Sequence, residues 1–161
     1  MESLFNELRI NLENQQDNLK QLVNIAREHN RALRQLDAGK LNDIIASEEE
    51  IVKNIVLFEE ERKKITDSLS GELGIEANAG LGEFSEKAPV GMKENLNKLL
   101  DNMSQMALEL KEINGQNDTL TRQAIRFNEM FIRVLAPSER KGYTQKGQIE
   151  DTKVSLLDKK V

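Results

Sequence analysis

Three long stretches of the chain place an apolar residue at alternating three- and four-residue steps. The first runs from Phe5 through Leu8, Leu12, Leu19, Leu22 and Ala26 to Leu33 and Leu36. The second runs from Leu41 through Ile44, Ile51, Ile55, Phe58 and Ile65 to Leu69. The third runs from Met92 through Leu96, Leu99, Met103, Met106, Leu110, Ile113, Leu120, Ala124, Phe127 and Phe131 to Val134. A 3-4 step is the heptad period, so each stretch predicts a long helix with one narrow buried stripe. The predicted fold class is all-α: an antiparallel helical hairpin plus a longer third helix, packed as a coiled-coil-like three-helix bundle. Such a molecule has long grooves and little concave volume, which suits it to binding other chains.

Composition agrees with narrow stripes. Only 4% of the 161 residues are aromatic and none is Trp, whereas 32% are charged. Without cysteine there are no disulfides and no thiolate metal sites. The opening residues, MESLFNELRI, lack the basic and apolar regions of a secretory signal. No apolar run approaches the ~20 residues of a membrane helix. A cytoplasmic protein with no membrane insertion is expected. The net charge of −5 is uneven. Residues 138–161 carry six basic and four acidic side chains, leaving −7 on the rest. An acidic body of this kind does not attract nucleic acid.

The helices are predicted at about 2–36, 41–70 and 91–135 within a bundle spanning 1–136. Asp37, Ala38, Gly39 and Lys40 form the expected break, with Gly39 suited to the left-handed residue that ends a helix. Residues 71–90 hold four glycines and Pro89, which predicts a mobile loop with at most a short helical turn. Residues 137–161 are expected to be a flexible C-terminal tail. At 1.5 Å per residue the first two helices measure about 45–52 Å and the third about 68 Å. If the third starts near the end of the second, its C-terminal part overhangs the hairpin and exposes Phe127, Phe131 and Val134. A bare row of large apolar side chains marks an interaction site.

Signals for chemistry are nearly absent. His29 is the one histidine and lies on a seam, where a tolerated polar core or edge position is the plain reading. Glu48, Glu49 and Glu50 point in different directions on a helix, so they read as a solvated face with Glu48 turned to the seam. No catalytic residue, metal ligand or cofactor is expected. Gln15, Glu48, Arg62 and Asn117 interrupt the seams, where polar residues commonly set register. The stem of Arg62 is expected to pack while its head reaches solvent or an acid.

Two segments carry a resemblance. LRQLDAGKLNDIIASEEEIVKNIVLFEEERKKI (33–65) contains the hairpin break, the Leu41 and Ile44 helix start, an acidic cluster and Arg62. INGQNDTLTRQAIRFNEMFIRVLAPSERKGYTQKGQ (113–148) contains Asn114, Asn117, Leu120, Asn128, the helix end, and then Tyr143 and Gly147. Together they resemble the FlgN family of flagellar type III export chaperones. The chain departs from the family's pattern at Thr144 and Glu50.

The resemblance implies a chaperone that binds hook–filament junction (hook-associated) proteins. It would prevent their premature assembly and deliver them to the membrane export gate. It implies cargo binding by Asn117, Leu120, Ala124, Phe127, Phe131 and Val134, and gate docking by Tyr143 and Gly147. A further copy of the chain is a second candidate occupant of the strip. The competing readings are a structural coiled-coil oligomeriser and a sister chaperone for flagellin or the filament cap.

Overall fold

A computed structural model describes residues 1–76, 79–135, 141–143 and 149–151. Four helices occur in chain order: α1 (Glu2–Gln35), α2 (Ala38–Leu73), α3 (Leu81–Lys87) and α4 (Val90–Leu135). Two short strands, β1 (Lys141–Tyr143) and β2 (Ile149–Asp151), pair antiparallel with Gly142 opposite Glu150. The fold class is all-α, as the periodicity predicts. The β1–β2 ladder lies within the segment expected to be a flexible tail. The chain divides into two units, Met1–Leu120 and Thr121–Val161.

In the first unit, α1 and α2 run antiparallel. The Met1 ammonium meets Glu72, Asn11 meets the Phe58 carbonyl, and His29 meets Glu48, in that order along the pair. Seam residues make the core: Phe5, Leu8, Leu12, Leu69, Leu96 and Leu99 are buried in one cluster. Each such side chain contributes roughly 1.5–3 kcal/mol on burial. The seventh member of the cluster is Phe84, from α3. Residues 71–90, expected to be a mobile loop, therefore supply an interior anchor. Beside Phe84, the buried Ser85 hydroxyl bonds the amide oxygen of Asn97 on α4.

The connection between α1 and α2 differs from the predicted break. Gly39 lies inside α2, and the left-handed residue is Leu36, at φ 54°. The Asp37 N–H bonds the Ala32 carbonyl and the Leu36 N–H bonds that of Leu33, which closes the last turn of α1. The Asp37 carboxylate then accepts from the Lys40 N–H at 3.0 Å and caps α2. One residue thus ends the first helix and starts the second. At the far end of α2 the left-handed residue is a glycine, Gly74, at φ 66°.

The polar seam residues are paired. Gln15 donates to the Asn11 side-chain oxygen at 2.8 Å and to the Phe58 carbonyl at 3.2 Å. His29 and Glu48, both seam interruptions, hydrogen-bond each other at 3.1 Å. Arg62 reaches back to Glu59, with Nε 2.9 Å from the carboxylate, as expected of a seam arginine whose head finds an acid. That hydrogen bond holds the Glu59 carboxyl below its ordinary range; partial burial opposes the shift and the guanidinium charge adds to it.

Candidate functional site

α4 is a single helix whose side chains change surroundings along its length. Leu96 and Leu99 are core. Met103, Met106, Leu110 and Ile113 are half-buried. Asn117 returns to the interior at 6% exposure. It donates to the Ala26 carbonyl at 3.0 Å and accepts from the Asn30 amide at 2.9 Å, while Arg27 pairs with Glu109 nearby. Both ends of the Asn117 amide are thus engaged on α1. Asn117, expected on the cargo surface, is thus turned toward α1, as suits a polar seam residue that sets register. Leu120 and Ala124 are half-buried.

In the second unit the large apolar side chains of α4 are bare. Phe127 is 53% exposed, Phe131 52% and Val134 74%. Their four- and three-residue steps place them on one helix face. The two rings stack with centroids 6.2 Å apart and planes at 17°. Met130 widens this face, and Ile125 and Ile132, seven residues apart, form a second exposed row. The heptad reading found the first row and missed the second, because Ile125 and Ile132 fall off the 3-4 step. Arg122, Arg126 and Arg133 follow four- and seven-residue steps along the opposite edge, with Glu129 among them. The segment is therefore an amphipathic helix with a broad apolar face and a basic edge.

Tyr143 ends β1 opposite Ile149. Gly147, expected beside it at a docking site, lies outside the described residues. Among the described residues no cluster of His, Asp or Glu could hold a metal, and no helix is long and apolar enough to cross a membrane. An open cavity of about 380 Å³ lies between α1 and α2, lined by Ile10, Asn11, Asn14, Glu61 and Ile65 among others. On its wall, Asn11 donates to the Phe58 carbonyl and to Glu61.

A bare apolar helix end of this kind suits contact with another polypeptide. The comparisons with known proteins give the chain a family. Residues 1–151 match the FlgN protein family. The chain is 28% identical over 143 residues to the uncharacterized protein YvyG of Bacillus subtilis (strain 168), covering 86% of this chain and 88% of that one. No solved structure matches. The chain belongs to the FlgN family and is thus a flagellar export chaperone; the family is one of chaperones and not of enzymes.

Proposed function

We propose that the chain binds hook–filament junction proteins in the cytoplasm, keeps them from assembling early, and delivers them to the type III export gate. Cargo is held on the last turns of α4, by Leu120, Ala124, Phe127, Phe131 and Val134. Tyr143 and Gly147 serve docking to the gate. The observation that carries this reading is the exposure of Phe127, Phe131 and Val134 on one face of a family chaperone. An amphipathic cargo helix with anchors three and four residues apart would lie along that face and take it out of water. The broad, unenclosed surface fits a client that is not yet folded, since a disordered segment can order itself on binding.

The test is calorimetry with purified junction proteins. Phe127→Ser with Phe131→Ser is expected to lose most of the affinity while thermal stability stays near that of the parent. Tyr143→Ala is expected to keep cargo affinity and lower secretion of the junction proteins. Unchanged affinity in the double variant would move the cargo site elsewhere, with Met103, Met106 and Leu110 the next surface to test.

A further inference from the structure

The cavity between α1 and α2 is built from the same pair of residue types on both helices. α1 supplies Ile10 with Glu7 one turn before it, and α2 supplies Ile65 with Glu61 one turn before it. Ile10 is 44% exposed, so this apolar lining is bare. At about 380 Å³ the cavity stands at the small end of the roughly 300–1,000 Å³ range of ligand pockets. It is open along the hairpin, so it does not wrap a free small molecule on most sides, as such pockets do. It can take a side chain that arrives on a helix laid into the groove.

Charge says which kind of helix. Glu13 and Glu59, on the same two helices, are each paired with an arginine, Arg9 and Arg62. The two carboxylates that line the cavity are held by neutral groups instead. Glu7 accepts from the Ser3 hydroxyl at 3.1 Å, and Glu61 accepts from the Asn11 amide at 3.4 Å. Neither is in an ion pair among the described residues. Asn11 is 4% exposed and also accepts from Gln15, so it is a fixed wall that positions Glu61. Because Glu61 is tied to Asn11, it stands about one turn along the hairpin from Glu7. Lys64 is the one cation among the lining residues, and two carboxylates against it leave the groove negative.

We propose that this groove docks a basic amphipathic helix of a partner protein. One large apolar side chain of that helix packs against Ile10 and Ile65, and lysines or arginines a turn away from it meet Glu7 and Glu61. An acidic helix would set like charges against the two glutamates and is rejected. The groove lies wholly on the hairpin, and the proposal does not rest on the cargo reading of the α4 strip, whose edge is basic and suits the opposite charge.

Titrating the full chain and following backbone amide shifts tests this. Phe127→Ser with Phe131→Ser is the background, so that the α4 strip does not compete for the probe. The probe is a synthetic helical peptide with leucines at three- and four-residue steps and lysines elsewhere. One control replaces the lysines with glutamates, and a second scrambles the leucine row at equal charge.

The lysine probe is expected to shift amides centred on Ile10 and Ile65, with an affinity that falls as salt rises. Both controls are expected to leave those amides unmoved. Glu61→Gln and Glu7→Gln are each expected to weaken binding by about two- to fivefold, as removal of one exposed charge pair does. Lys64→Gln is expected to tighten it by a similar factor, since it removes the competing cation. Ile10→Lys, on an exposed position, is expected to abolish binding with helical circular dichroism unchanged. Shifts centred elsewhere, equal binding of the glutamate peptide, or an affinity indifferent to both Glu61→Gln and Lys64→Gln would overturn the proposal.

Discussion

Phe84 and Phe127 are the same side chain on two helices of one protein, and water treats them oppositely. Phe84 is 1% exposed and Phe127 53%. Phe84 sits on a seven-residue helix in a glycine-rich segment, where no period announces it. Phe127 sits on a strict 3-4 step that predicts a buried seam. Periodicity states which residues share a face; what covers that face depends on what the rest of the chain brings to it. The core end of α4 is met by α1, α2 and α3, and the same stripe, thirty residues on, is left exposed.

The largest expected effect breaks or keeps this contrast directly. Phe84→Ala should cost about 3–5 kcal/mol of stability. Phe127→Ala should stay within about 0.5 kcal/mol. Denaturant unfolding of the two variants checks it, and equal losses would place Phe127 in a core. Next in size is the border between the two surroundings. Asn117→Ala removes both hydrogen bonds to α1 and should cost about 1–3 kcal/mol in the same assay. A variant with full stability and weakened cargo binding would return Asn117 to the exposed side.

A smaller effect separates exposure from freedom. Leu36 is 66% exposed yet held at φ 54°, a region that penalises a side chain. Leu36→Gly should therefore raise stability by about 1 kcal/mol. Gly39→Ala, inside α2 with its nearest neighbour for an added methyl at 3.7 Å, should also stabilise, by roughly 0.5–1 kcal/mol. Thermal scans decide both.

The smallest effect is electrostatic. The Glu59 carboxyl is held below its usual range when folded, so its contribution is full above the unfolded value and is lost as pH falls through the folded one. Its side chain is half in water, which screens the pair with Arg62 to about 0.3–0.5 kcal/mol. Glu59→Gln should cost that much at neutral pH and nothing in acid below both values.

Much of the architecture was legible because the seam is long. Phe5, Leu8, Leu12, Ile44, Ile51, Leu69, Leu96 and Leu99 are seam positions, and each is buried. The strip at Phe127, Phe131 and Val134 was legible from arithmetic, since the third helix is too long for the hairpin. Three features were not. Phe84 is the single large apolar residue between Gly82 and Pro89, and a lone anchor has no period. The left-handed residue fell at Leu36 because the Asp37 cap starts α2 three residues before the predicted Leu41. Asn117 lies on the seam whichever way α4 is turned; only the Ala26 carbonyl and Asn30 opposite it decide that it faces inward.

Leu36 and Asp37 are the whole link between helices of 34 and 36 residues. A link that short makes closing the hairpin nearly a local event, and local contacts form fast. The pairing can begin near the turn, where His29 meets Glu48, and run outward to Met1 and Glu72. None of these residues lies beyond position 72, so a growing chain holds the complete hairpin before Phe84 or α4 exists. The order of birth is then hairpin, anchor, long helix. The bare phenylalanines emerge after α1, α2 and the Phe84 anchor are already in the chain.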